Sequence, residues 1–159
     1  MGQLSLFELQ YKYIMDASSL ISQRDGEPHN KRTFQTLWHN IENLIDAGKI
    51  VTCSEIAVEL HDNDVTAWLS SAHCVIIPID DEIQRNVIKV VTTYPRLVDI
   101  GRNKSSGDPF LIATAMKYDL TVITEEGKDS PRKIPQVCGC MGIDCININE
   151  LCLREGWIF

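Results

Sequence analysis

The segment DPFLIATAMKYDLTVIT, residues 108–124, decides the fold class. Pro109 suits the first turn of a helix, where its missing N–H leaves no bond unmade. Leu111, Ile112, Ala115 and Met116 follow at the spacing that gives a helix one apolar face. After a short break, Leu120-Thr121-Val122-Ile123-Thr124 is apolar, β-branched and too short for a second helix, so it predicts a buried strand. A helix feeding straight into a buried strand is the unit from which parallel α/β sheets are built.

The same alternation extends in both directions. Upstream, Tyr11 to Met15 predicts a strand that ends at Asp16, and residues 22–32, with Gly26 and Pro28, predict a loop. Phe34, Leu37, Trp38, Ile41, Leu44 and Ile45 form one helical stripe, closed by Gly48 where the chain needs φ > 0. Ile50 to Thr52 is a short strand, Ser54 an N-cap for a helix through Leu60, and Asp64 to Ser71 a second short helix. Cys74 to Pro78 is a strand, followed by a helix that Asp80, Asp81 and Glu82 open, that buries Ile83, Val87, Val90 and Val91, and that Tyr94-Pro95 ends. Residues 95–107 form a polar loop. Downstream come a weak helix near 135–141, a strand at Asp144 to Ile148 and a helix from Asn149 to Glu155. Five strands alternating with helices predict a mostly parallel sheet covered on both faces; their order does not follow from the sequence.

The 159 residues match about one domain, expected over 1–159 with an extension at 1–10, a core at 11–150 and a tail at 151–159. No apolar run approaches the roughly 18 residues of a membrane span, and the first residues lack the basic-then-apolar pattern of a secretory signal. The six cysteines are expected to be reduced thiols in a cytoplasmic protein. A net charge of −7 argues against broad, nonspecific coating of nucleic acid.

Ligands of open α/β sheets bind at the carboxyl ends of the strands. Asp16 stands there after the first strand, and Glu125-Glu126 after Thr124; Glu59 and Asp108 sit on or at the start of helices in otherwise apolar segments. Each acid alone has a plainer role: Asp16 capping a turn with Ser18, Asp108 as an N-cap before Pro109, Glu59 as a partly exposed helix residue, Glu125 and Glu126 as solvated loop acids. Together they recur at successive strand–loop junctions of one edge. Clustered carboxylates raise one another's pKa unless a cation compensates, and hard oxygen ligands suit Mg²⁺ or Mn²⁺. The loops 17–32, 95–107 and 127–135 hold nine of the 15 Lys and Arg against four acids, among them Arg102, Lys104, Lys128, Arg132 and Lys133. Acids ringed by basic loops suit a metal-dependent nuclease, with cations at the centre and phosphates around them.

Four segments resemble the PIN-domain nucleases and, within them, the VapC-like toxin ribonucleases. They are Tyr13 to Ile21, Ser54 to Leu60, Gly107 to Ala115 and Val122 to Glu126, in the family's order and spacing across roughly residues 11–150. The long polar loop after Asp16 and the segment Lys133 to Cys138 are similar to one PIN-like subfamily of prokaryotes. The resemblance implies a PIN-like three-layer α/β/α fold. It places the family's four acids on Asp16, Glu59, Asp108 and Glu126, with Asp16, Asp108 and Glu126 as metal ligands. Ser18, Thr124 and Glu125 would support them. Glu126 stands where the family has Asp, so Glu125 is the alternative fourth acid. The implied activity is Mg²⁺- or Mn²⁺-dependent hydrolysis of RNA by the toxin of a type II toxin–antitoxin system. The implied partners are RNA, an antitoxin protein and a second copy of the chain.

Other phosphate chemistries fit less well. A haloacid-dehalogenase-like phosphatase needs Asp-x-Asp, and Ser18 stands at its third position; a response receiver needs a Lys after a late strand, where Glu125 follows Thr124. A PIN scaffold that binds RNA or protein with little catalysis stays open. So does a zinc-stabilised tail on Cys138, Cys140, Cys145 and Cys152, although their spacing lacks the paired C-x₂-C knuckles. His29, His39, His61 and His73 form no ligand spacing, and His29 and His61 are expected at the surface.

Overall fold

The computed structural model describes residues 10–95, 107–128 and 133–159. Five strands, β1 (Tyr13–Met15), β2 (Ile50–Cys53), β3 (Val75–Ile77), β4 (Thr121–Ile123) and β5 (Cys145–Ile146), pair in the order β3-β2-β1-β4-β5. All four pairings are parallel, as the buried apolar strands predicted. β1, β2 and the apolar residues of β4 are wholly buried, whereas the edge strands β3 and β5 each carry partly exposed residues. Inside the sheet, Thr52 satisfies its hydroxyl on the Met15 carbonyl at 2.8 Å.

Eight helices flank the sheet among the described residues: α1 (Ala17–Ile21), α2 (Gln35–Asp46), α3 (Ser54–Glu59), α4 (Asn63–Ser71), α5 (Asp81–Thr93), α6 (Asp108–Tyr118), α7 (Ile134–Met141) and α8 (Ile148–Glu155). The predicted α2 stripe is the buried one: Leu37, Trp38, Ile41 and Ile45 face the core, and Trp38 meets Trp68 of α4 edge-to-face at 5.5 Å. Gly48 takes φ +75°, as a helix exit requires. The acids expected to open α5 do so, with Asp80 as the N-cap.

Several expectations shift. The one-turn α1 does not show in the hydrophobic pattern, because five residues are too few for a period. Ser54 is the first residue of α3 rather than its cap; Cys53 holds the cap position without a side-chain bond. Instead of one apolar face, α6 buries every residue from Asp108 to Ala115 except the half-buried Phe110, so it is a central helix packed on all sides. The last strand stops at Ile146, because Asn147 and Glu150 form a capping box that starts α8. α8 therefore crosses the expected core–tail boundary at residue 150. The N-terminal extension and most of the 95–107 loop lie outside the described residues.

The strand order sets the geometry of any site. The chain runs outward from β1 to β3, then returns past β1 to β4. The switch point of the sheet thus lies between β1 and β4, at the ends that carry Asp16 and Thr124.

Candidate active site at the β1–β4 switch point

Asp16 follows β1 directly and N-caps α1, accepting the Ser19 N–H at 2.8 Å. The cap reading is correct in geometry and incomplete in chemistry, because the carboxylate is also 2% exposed. Ser18 Oγ lies 2.8 and 2.9 Å from its two oxygens, and Thr124 donates to Oδ2 at 2.5 Å. Three donors occupy a carboxylate with about four acceptor positions, which leaves roughly one for another ligand. The donors favour the anion, but burial outweighs them, and nearby Glu126 adds repulsion. The pKa of Asp16 is pushed up to about 6 from an ordinary 3.8.

The turn after β4 is tied to the same network. The Glu125 N–H donates to Ser18 Oγ at 3.0 Å and the Glu126 N–H to Thr124 Oγ1 at 3.1 Å. Ser18 and Thr124 thus both hold the Asp16 carboxylate and join β1 to β4 across the switch point. Beyond their backbones the two glutamates part. Glu126 accepts the Ile134 N–H at 3.0 Å, which fixes it at the start of α7, and its charge raises the pKa of both Asp16 and Glu59. Glu125 turns to His29, whose Nδ1 is 2.8 Å from Glu125 Oε1. That separation suits an ion pair, but the ring N–H does not point along it, so Nδ1 lacks a formed hydrogen bond. Nε2 faces Asn149 Oδ1 at 3.2 Å. Oxygen atoms at both nitrogens, the Glu125 carboxylate foremost, raise the His29 pKa above its ordinary value despite burial.

His29 is therefore not the surface residue expected: its side chain is 12% exposed. Its carbonyl also accepts the buried Trp38 indole N–H at 2.6 Å, which pulls the 22–34 loop down onto the site. Nothing in the local sequence, a His between Pro28 and Asn30, signals this. His61 is exposed, as expected.

Glu59 ends α3 and is half-buried, and among the described residues its Oε2 is enclosed without a hydrogen-bond partner. Burial lifts its pKa, while the nearby Gly107 amide pulls the other way without lining up as a bond. Gly107 holds the N-cap of α6, and the Leu111 N–H bonds its carbonyl at 2.9 Å. Asp108 is therefore the first helical residue, not the cap expected from Asp-Pro, and it is 6% exposed. The charges of Asp16 and Asp108 both bear on the buried Cys138 thiol, so these acids share a neighbour. The structure thus gathers Asp16, Glu59 and Glu126 into one electrostatic field, with Asp108 at its border. Among the described residues, no three His, Cys, Asp or Glu side chains close around a single point. The donor chemistry nevertheless suits a hard cation: all four are carboxylates, Asp16 has an acceptor position left, and Glu59 Oε2 is enclosed and unpaired.

Of the basic residues expected to meet RNA, Lys128 pairs with Glu150 at 2.8 Å and Lys133 lies 3.9 Å from Glu126. Arg102, Lys104 and Arg132 lie outside the described residues. All six cysteines are free thiols. A hydrogen bond donated by the Cys138 thiol to Cys145, together with burial, raises the Cys138 pKa, and Cys140 is exposed. No helix among the described residues is long and apolar enough to cross a membrane.

Comparison with known structures finds FitAcB from Neisseria gonorrhoeae at a TM-score of 0.51 and 17% identity, over 86% of this chain and 97% of that one. FitAB bound to an IR36 DNA fragment gives 0.50 and 12%, over 86% and 94% of the two chains. At such identities the likeness is one of fold, and the fold is the PIN-like α/β arrangement expected from the sequence. No curated protein matches the chain. The profile of a family described as a domain of unknown function, DUF4411, matches residues 13–159.

Proposed function

We propose that this chain, which belongs to the DUF4411 family, is a metal-dependent endoribonuclease of the PIN type and the toxin of a toxin–antitoxin pair. One observation carries the reading. A buried carboxylate, Asp16, is held by three donors at the switch point of a parallel sheet, inside the field of Glu126, whose charge also bears on Glu59. A fold that needed Asp16 only as a helix cap would leave it in water.

In this reading Asp16, Asp108 and Glu126 hold Mg²⁺ or Mn²⁺, with Glu59 nearby. The bound ion supplies an activated water and stabilises charge on a phosphodiester undergoing in-line displacement. Ser18 and Thr124 keep the Asp16 carboxylate in one orientation. The Ile134 N–H anchors one oxygen of Glu126, and the other lies 3.9 Å from Lys133 Nζ. The basic loops, Arg102, Lys104, Lys128, Arg132 and Lys133 among them, engage phosphates rather than bases. The antitoxin follows from the PIN resemblance, and FitAB, seen with a DNA fragment, is in keeping with work beside nucleic acid.

A second reading is a PIN scaffold that binds RNA or protein without cutting it. Its support is that Glu126 spends an oxygen on capping α7. Cleavage of an RNA pool with Mg²⁺ or Mn²⁺ separates the two. The nuclease reading expects cleavage by the natural chain, and background cleavage by Asp16→Asn, by Asp108→Asn and in EDTA. Full activity in either variant, or indifference to EDTA, refutes it.

A further inference from the structure

Next to the acids, α7, the turn after β4 and β5 enclose a cleft of about 270 Å³. Thr124 and Glu126 form its wall toward Asp16; Pro135, Ile143 and Ile146 give it apolar surface; Gln136 and Asn147 add side-chain amides. We propose that this cleft is a nucleobase subsite: it takes the base of one nucleotide of a single-stranded nucleic acid whose phosphate lies at the Asp16–Glu126 edge. The base-binding part stands on the cleft alone, and the placement of the phosphate rests on the nuclease reading.

Three features point to a base. The first is size. At roughly 30 Å³ per water in the liquid, the cleft holds about nine waters, more than an ion or a bare phosphate needs and enough for a flat heterocycle.

The second is the hydrogen-bonding pattern. Gln136 donates its amide nitrogen to the Lys128 carbonyl, which leaves Oε1 as a spare acceptor. Asn147 accepts the Glu150 N–H through Oδ1 at 2.8 Å, which leaves Nδ2 as a spare donor. Backbone partners thus fix both amide orientations, and neither spare atom has a partner among the described residues. One acceptor and one donor over apolar surface complement a base edge, where donors and acceptors stand side by side. Single-strand sites take bases splayed out of the stack and hydrogen-bond their edges in this way.

The third is Gly139. It sits inside α7, where glycine costs about 1 kcal/mol relative to alanine, and it lines the cleft. A Cβ there would meet nothing within 4 Å. Packing does not demand the missing side chain, and its absence keeps the cleft open.

The position of Gly139 also gives the test. In Gly139→Leu the Cβ meets no atom within 4 Å and helix propensity rises, so the variant is expected to fold at least as stably as the natural chain while its side chain occupies the cleft. The four nucleoside 5′-monophosphates, with ribose 5-phosphate as control, are titrated into the metal-free full chain in EDTA and followed by amide NMR. The expected result is saturable movement of the Gln136 and Asn147 side-chain amides and the Gly139 backbone amide with at least one nucleotide, little with ribose 5-phosphate, and at least tenfold weaker binding in Gly139→Leu. No saturable movement, equal movement with ribose 5-phosphate, or undiminished binding by Gly139→Leu overturns the subsite. The assay needs neither metal nor cleavage. Nucleotide binding in the cleft of a chain that cuts no RNA would uphold the subsite and sink the nuclease. Metal-dependent cutting without nucleotide binding would do the reverse.

Discussion

Asp16→Asn should make the metal-free protein more stable at neutral pH. The Asp16 carboxyl ionises near 6 in the folded chain against an ordinary 3.8, so the folded state holds this proton more tightly than the unfolded state. Between about pH 4 and 6 the native protein therefore binds more protons, and stability falls as pH rises. The gap of about two pH units, at roughly 1.4 kcal/mol each, makes the buried anion cost up to about 3 kcal/mol above pH 6. Asparagine removes the charge at nearly constant shape. Its Oδ1 keeps the Ser19 N–H, and the Ser18 and Thr124 hydroxyls turn to accept from Nδ2. With about 1 kcal/mol set aside for that rearrangement, the net gain is up to about 2 kcal/mol. At about 2–4 °C per kcal/mol for a chain of this size, the melting temperature at pH 7.5 in EDTA should rise by several degrees. Groups that titrate alike in both proteins cancel in the difference. Toward pH 4 the advantage should vanish, because Asp16 is then protonated in the natural chain as well. Added Mg²⁺ should restore the natural chain by mass action and leave the variant unmoved. A variant that melts at or below the natural chain at pH 7.5, or a gap that does not close on acidification, refutes the electrostatic account of Asp16.

Four further outcomes test the surroundings of the site and the cysteine tail. Glu126→Gln should lower RNA cleavage at least tenfold, whereas Glu125→Gln should hold it within a few-fold and cost about 1 kcal/mol with the His29 contact, an ordinary value for a partly buried pair. Because the His29 pKa is raised, the stability difference between the natural chain and His29→Ala should be full below pH 6.5 and fade as pH rises through the raised value; a pH-independent difference counts against the ion pair. Gly107→Ala places a methyl against Glu59 Oε2, 3.0 Å from Ile56 Cδ1 and 3.3 Å from the Glu55 carbonyl oxygen; the first two are flexible side-chain ends and the third must give by only a few tenths of an ångström, so cleavage should drop tenfold or more while the chain still folds; unchanged cleavage removes Glu59 from the site. Cys140→Ser and Cys145→Ser should each cost about 1 kcal/mol or less and leave cleavage intact, with no zinc by elemental analysis; one zinc per chain, lost when these thiols are mutated together, shows the tail to be a metal module.

The fold was legible where burial leaves a mark on residue type. β1, β2 and β4 are apolar runs because both faces of a central parallel strand are covered, and α2 shows its stripe because one of its faces meets water. The misreadings fall where the mark is missing. A helix buried on nearly all sides, like α6, has no polar face to define a stripe, so its sequence shows four core positions where the structure has seven residues fully buried in sequence around one half-buried Phe110. Capping residues proved ambiguous by one position at Ser54 and Asp108, because a small or acidic residue serves equally at the cap or in the first turn. The contact between His29 and Glu125 joins residues 96 positions apart through loop geometry, which no local periodicity encodes.

The acids were legible as a set but not in their division of labour. β1 runs into Asp16 and β4 through Thr124 into Glu125 and Glu126, yet only the order β3-β2-β1-β4-β5 makes the ends of β1 and β4 neighbours across the switch point. Once they are neighbours, the two hydroxyls of Ser18 and Thr124 fix the backbone of the 125–126 turn, and successive side chains must then leave it in different directions. That is why adjacent glutamates of identical chemistry separate into a partner for His29 and a source of field on Asp16 and Glu59. The consequence is electrostatic. Asp16 is too dry to carry its charge at no cost; a proton relieves it below about pH 6, and in the proposed function a cation relieves it above. Under the proposed reading those two compete for a single acceptor position, so metal affinity should weaken as pH falls through that value while the Ser18, Ser19 and Thr124 donors stay in place. A metal titration that is flat across pH 5–7 would mean that the ion, if it binds, does not touch Asp16.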